Sequence, residues 1–326
     1  MPTPPDRTSR PSIPPSNNNT VMPDRFSLPE IGRINDALEL AWRTIQSAPQ
    51  PGIPGVHVFG VYRQDVMVRF LPANPDEHLV IGRHEGCDIV LQADPTVSLR
   101  HLLARTIRLS DGSIALRFLD LMTPIPFLLH DGTMQRSIVA TGPFAVAIGP
   151  YVLGGIPSDV SQYETHGGPY RAPALVHSAN RLPRASLKTP VGLRRSRITL
   201  LPGSRFVTQV PEWPDDGFAR ITLSRGGHVA SVVVDEATME NGLLIGRAER
   251  CLDRGLRTVL TTSISRVHCL LLRDADQDVA IDLGSTQGTY ASGARLRMVR
   301  LPPSRCHLRL GYVDAVDMIW DRVNLR

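Results

Sequence analysis

The sequence predicts an all-β protein made of two β-sandwiches, joined by a Pro/Arg-rich linker and preceded by a short amphipathic helix. Three observations carry this. Short apolar runs separated by turn residues recur along two long stretches. An ordered set of short motifs occurs twice, at nearly constant spacing. Between the two stretches the strand pattern gives way to Pro and Arg.

The elements follow in order. Residues 1–28 are rich in Pro, Ser and Asn without apolar periodicity, which predicts a disordered tail. Ser27 and Glu30 have capping-box spacing, and Ile31, Ile34, Leu38, Trp42 and Ile45 share one face of a 3.6-residue repeat, predicting a helix over 29–48 that packs on the following domain or docks on another protein. From His57 to Ile156 the runs HVFGVYR, VMVRFL, HLVIGR, CDIVL, LLARTIRL and SIALRFLDL read as strands of a first sandwich. Residues 157–212 carry eight cations and three acids, an excess equal to the chain's whole net charge of +5, and read as a basic linker with RITLL and FVTQV as strand-compatible stretches. From Trp213 to Arg326 the strands resume as ARITLSR, VASVVVD, GLLIGR, RTVLTT, HCLLLRD, DVAIDL and HLRLGYVDAVDMIW.

The repeat lies inside these stretches. Gly82-Arg83 answers Gly246-Arg247, Ser98-Leu99-Arg100-His101 answers Ser265-Arg266-Val267-His268, and Asp120-Leu121 answers Asp282-Leu283. Offsets that differ by only a few loop residues argue for a duplicated domain. In the second copy the series continues through Gly284-Ser285-Thr286-Gln287-Gly288-Thr289. This ordered series resembles the forkhead-associated (FHA) domain, whose signature is a Gly-Arg pair, an S-R-x-H and an S-x-N-G-T-like turn on a β-sandwich. The resemblance covers residues 213–326 closely and 57–156 loosely.

It implies a module that binds phosphothreonine peptides through loops at one end of the sandwich. The residue chemistry agrees, because a dianionic phosphate suits a guanidinium fork and a hydroxyl donor. On that resemblance Arg247 supplies the fork, Ser265 and Arg266 a hydroxyl and a second cation, and Thr286 a further contact. Gln287 stands where the family has Asn, keeping the amide but adding a methylene. Gly246, Gly288, His101 and His268 are assigned structural roles, with His268 bracing the binding loop. On an extended segment residues three apart face opposite ways, so Ser265 and His268 are not read as a catalytic pair.

The first copy is degenerate. Arg83 and Ser98 are present, Leu99 replaces the family Arg, and Arg100 is shifted by one position onto the other face. Its turn, Asp120 to Phe127, lacks the Gly and the amide, and its prolines remove backbone donors. A phosphate site at Arg83 and Ser98, a spacer or a protein-docking surface are the open readings.

The expected function is a non-enzymatic adaptor that binds a phosphothreonine-containing protein, such as a Ser/Thr kinase or its substrate, in bacterial signalling or in a secretion or envelope complex. Thr189 and Thr199, in basic surroundings, are candidate phosphoacceptors for self-docking. Rival readings are a phosphate-independent scaffold and nucleic-acid binding through the Arg-rich linker. No P-loop, nucleophile elbow, H-E-x-x-H or kinase H-R-D is written in the chain, and no cofactor or metal is expected. The four cysteines form no C-x-x-C, and the apolar stretch 137–157 is broken by Gly and Pro; a cytoplasmic protein without a membrane span is expected.

Overall fold

In the computed structural model the described residues are 31–49, 51–109, 111–125, 127–128, 134–159, 197–200, 205–206, 218–251, 254–274 and 277–323. The N-terminal periodicity folds as α1 (Ile31–Ser47). Ile34, Leu38, Ala41 and Ile45 share its buried face, as spacings of three and four require, and pack on Phe59, Val61, Ala145 and Val152. The helix therefore covers a sheet of its own chain. Ser27, Glu30 and the expected disordered tail lie outside the described residues.

The first sandwich contains β1 (Gly55–Tyr62), β2 (Asp65–Pro72), β3 (Leu79–Gly82), β4 (Ile89–Val90), β5 (Leu102–Arg108), β6 (Ile114–Asp120), β7 (Phe127–Leu128), β8 (Met134–Gln135), β9 (Ser137–Thr141), β10 (Phe144–Ile148) and β11 (Tyr151–Pro157). Two further strands, β12 (Arg197–Leu200) and β13 (Arg205–Phe206), join it, giving sheets ordered β12-β10-β11-β1-β2 and β13-β9-β6-β5-β3-β4. Val58, Ile81, Leu102, Phe118 and Phe144 fill the space between them. The linker expected over 157–212 is thus corrected. Its later part pairs with both sheet edges, Thr199 opposite Ala145 and Arg205 opposite Thr141, because an edge strand offers unpaired N–H and C=O groups that another strand satisfies.

The second sandwich runs through β14 (Phe218–Arg225), β15 (His228–Val234), α2 (Glu236–Asn241), β16 (Leu243–Ile245), α3 (Arg254–Arg257), β17 (Cys269–Asp274), β18 (Gln277–Asp282), β19 (Thr289–Ala291), β20 (Ala294–Leu296), β21 (Met298–Leu301), β22 (Cys306–Leu310) and β23 (Val316–Val323). Its sheets are β15-β14-β23-β22-β19-β20 and β16-β17-β18-β21, with Ile221, Leu271, Leu308, Met318 and Trp320 between them. The stretch RTVLTT is not a strand. Arg257 ends α3, and turn hydrogen bonds from Val259 N to Leu256 O (3.3 Å) and Leu260 N to Arg257 O (3.1 Å) follow it.

The two sandwiches meet through one sheet each. In β5, Leu102 and Ala104 face the first core while Leu103 faces away; in β17, Cys269 and Leu271 face the second core while Leu270 and Leu272 face away. The outward sets form one apolar cluster, in which Val80, Cys87, Leu103, Leu119 and Leu121 meet Leu244, Cys251, Leu270, Ile281 and Leu283. Polar contacts rim it: Arg297 to Asp88 at 3.1 Å, Arg300 to Asp76 at 2.9 Å, and Arg117 Nη2 donating to Glu240 O at 2.9 Å.

Candidate functional site

The second copy builds its site at the end of β16. Gly246 lies so close to the following segment that a Cβ would sit 2.3 Å from Arg266 O, so glycine is required there. Backbone bonds from His268 N to Ile245 O (2.8 Å), Arg247 N to Ser265 O (3.3 Å) and Ala248 N to Arg266 O (2.8 Å) stitch the Gly-Arg pair to the Ser-Arg-x-His segment. Arg247 is exposed, and its Nε donates to Ile264 O at 2.5 Å. Ser265 Oγ accepts from Thr286 N at 3.1 Å, which brings the third motif to the first two. Arg266 and Thr286 are exposed beside them.

His268 is fully buried. Its Nδ1 accepts from Ser265 N at 3.3 Å and its Nε2 donates to Gly288 O at 3.0 Å, so one ring clamps the two loops together. Burial pushes its pKa down, which favours the neutral tautomer that this pair of bonds needs. The extended geometry expected for 265–268 is corrected: the segment turns, and the imidazole reaches back to Ser265. It meets the backbone nitrogen there, not the hydroxyl.

The turn itself is organised by Asp282, which marks the repeat in the sequence but belongs to none of the expected binding residues. Its carboxylate accepts from Ser285 N (2.8 Å), Ser285 Oγ (2.6 Å) and Thr289 Oγ1 (2.7 Å), and Ser285 Oγ accepts in turn from Gly288 N at 2.9 Å. The Asp-x-x-Ser spacing was the available signal, since Asp side chains commonly bond backbone a few residues on. Gly288 has φ +80°, a conformation that favours glycine. Gln287 Oε1 accepts from Val313 N at 3.2 Å, so the added methylene lets the amide reach the loop between β22 and β23. Nothing in the sequence marked Val313, or Arg295, whose Nη2 donates to Ser285 O at 2.9 Å.

The first copy repeats the framework bond for bond. Arg83 N donates to Ser98 O (3.0 Å), His84 N to Leu99 O (2.9 Å), His101 N to Ile81 O (2.8 Å), and Leu121 N to His101 O (2.9 Å), as Leu283 N does to His268 O (3.0 Å). Arg83 Nε donates to Val97 O at 3.2 Å, and Ser98 N to His101 Nδ1 at 3.2 Å. A Cβ on Gly82 would sit 2.5 Å from Leu99 O. The two stretches therefore share a backbone framework as well as a motif order.

The copies diverge at the turn. Pro124 occupies the place of Thr286 and has no N–H for Ser98; Ser98 Oγ instead accepts from Arg250 Nη1 of the second copy at 2.9 Å. The segment 98–101 bends as 265–268 does, so the strand alternation expected to turn Arg100 onto the other face does not apply, and Arg100 reaches toward the second copy, as Ser98 does. Arg100 is 3% exposed and donates from Nε and Nη2 to the carbonyls of Leu283 and Gly284 in the other copy's turn. His101 Nε2 meets Thr123 Oγ1 at 3.4 Å where His268 meets a carbonyl.

A β-sandwich that gathers Arg, Ser and Thr on loops at one end is a loop-presenting recognition module. Residues 243–311 match the FHA-domain family model, and this part of the chain is an FHA domain. Among solved structures the chain is similar to the FHA-1 domain of Mycobacterium tuberculosis Rv1747, with 25% identity over 32% of this chain and 96% of that one and a TM-score of 0.25. It is also similar to the FHA domain of the CT664 protein from Chlamydia trachomatis, with 21% identity over 34% and 99% and a TM-score of 0.26. No curated protein matches the chain. Among the described residues no helix is long and apolar enough to cross a membrane.

Proposed function

We propose that the chain is a non-enzymatic adaptor whose second sandwich binds phosphothreonine-containing proteins through Arg247, Ser265, Arg266, Thr286 and Gln287. The observation that carries this reading is the arrangement at Ser265. Its oxygen accepts from Thr286 N, which leaves the hydroxyl proton for an incoming acceptor, and Arg247 is anchored beside it through Nε alone among the described residues. A hydroxyl donor next to guanidinium Nη groups matches a phosphate dianion.

The partner is a Ser/Thr kinase or one of its substrates, in bacterial signalling or in assembly of a secretion or envelope complex, and the compartment is cytoplasmic. Self-docking of the linker stays within the proposal in a restricted form. Thr189 lies outside the described residues, while Thr199 is paired in β12 and must leave the sheet before it can dock.

Titration of the full chain with a phosphothreonine peptide library tests the reading. Arg247→Ala is expected to weaken binding at least tenfold, about 1.4 kcal/mol. Equal binding of phosphorylated and unphosphorylated peptides would instead establish a phosphate-independent scaffold.

A further inference from the structure

We propose that the rim of the first sandwich carries a second phosphate-ester site, completed across the boundary between the sandwiches by Arg250. The argument starts at one oxygen. In the second copy Ser265 Oγ takes its hydrogen bond from a backbone N–H, that of Thr286. The equivalent oxygen, Ser98 Oγ, faces a proline at that place, and Arg250 Nη1 fills the role at 2.9 Å. In both copies the hydroxyl accepts from within the protein and keeps its own proton to donate. In the first, however, the neutral donor has been exchanged for a charged one.

The remaining parts are in place. Arg83 is held through Nε by Val97 O, just as Arg247 is held by Ile264 O, and both the carbonyl and its neighbour Ser98 belong to the loop that Arg250 touches. Arg250 is fixed by a second bond, Nη2 to Arg100 O at 2.8 Å, so its position does not depend on a ligand. It makes no ion pair with a carboxylate among the described residues. The acid that acts on it electrostatically, Asp120, pairs with Arg136 and accepts from Thr123. One guanidinium thus bonds the hydroxyl and a second is held at the residue before it, so the other sandwich supplies a cation to a rim where Leu99 stands in place of arginine.

The ligand class follows from what is present and what is missing. A phosphate monoester on a protein side chain fits two forks and a hydroxyl. The turn from Asp120 to Ile125 offers neither a side-chain amide nor an N–H at Pro124, so the flanking peptide backbone goes unread. The site therefore accepts a phosphorylated residue with little preference for its neighbours.

Calorimetric titration of the full chain with a phosphothreonine peptide tests this. Two binding events are expected, the weaker surviving Arg247→Ala. Arg83→Ala, Ser98→Ala and Arg250→Met should each weaken that surviving event at least fivefold while leaving the tighter one within threefold of wild type. A single event in the wild type overturns the proposal, as does a weaker event indifferent to Arg83→Ala and Ser98→Ala. These two variants decide the matter if Arg250→Met lowers the melting temperature. Failure of the second-copy reading shows separately, as a tight event untouched by Arg247→Ala.

Discussion

Arg100 is a buried cation whose burial works against its charge, and the carbonyls of Leu283 and Gly284 offset that cost. Arg100→Met leaves both carbonyls without these donors and should destabilise the fold by about 2–3 kcal/mol. Because the same carbonyls open the turn that carries Thr286 and Gln287, phosphopeptide affinity should fall with it. Calorimetric melting and titration of one preparation check both, and unchanged affinity would show that the turn holds itself. That Arg100 does not take the place of Arg266 was legible from its one-residue offset. Its target was not, since nothing in the residues around position 100 encodes what the other sandwich brings near. The same holds for Arg250 and Ser98, whereas Arg247, Ser265, Thr286 and His268 were legible because one local motif holds each of them.

At the scale of elements, the Gly-Arg strand ends depend on close approach of backbone to backbone. Gly246→Ala and Gly82→Ala place a methyl 2.3 and 2.5 Å from a carbonyl oxygen that cannot swing aside. Each should cost about 1–3 kcal/mol by chemical denaturation; Gly246→Ala should also weaken the tighter phosphopeptide event by displacing Arg247, and Gly82→Ala the weaker event by displacing Arg83, each leaving the other event in place. Most strands were legible because their apolar runs sit between turn residues. One misreading and one omission have physical causes. RTVLTT is rich in β-branched residues, but Val259 is buried from a turn, where burial requires no strand. The six-residue α2 is too short to show a helical period, although Asp235 caps it by accepting from Thr238 N at 2.8 Å.

For the whole molecule, buried histidines set the response to acid. Desolvation pushes His78 down to about 4 and His101 to about 3, and lowers His268 as well. In the unfolded chain histidine takes its proton near pH 6.5, at roughly its unperturbed value. Unfolding therefore takes up protons below that pH, and stability is lost as the pH falls toward the folded-state values. Asp120 works in the opposite direction. Burial raises it to about 6, so below that the native state gains a proton that the unfolded carboxyl does not yet hold. His57 and His84 are lowered too, and Glu240 and Asp278 are raised, so among the described residues five histidines stand against three carboxyls and a net loss remains, about 1.4 kcal/mol per pH unit for each excess proton. Melting temperatures recorded from pH 7.5 to 5 should decline; a flat or rising series would contradict this balance. None of it was legible beforehand, because the duplication could be read from three spaced motifs but the arrangement of the two copies could not.

The apolar cluster between the sandwiches joins corresponding positions: Val80 and Leu244, Cys87 and Cys251, Leu103 and Leu270, Leu119 and Ile281, Leu121 and Leu283. A patch built from corresponding positions of two copies resembles the self-complementary contact of a homodimer, here within a single polypeptide. In a homodimer every substitution is made twice, at both ends of the axis. A single chain removes that constraint, so one rim can carry a proline and borrow an arginine while its twin keeps an intact turn.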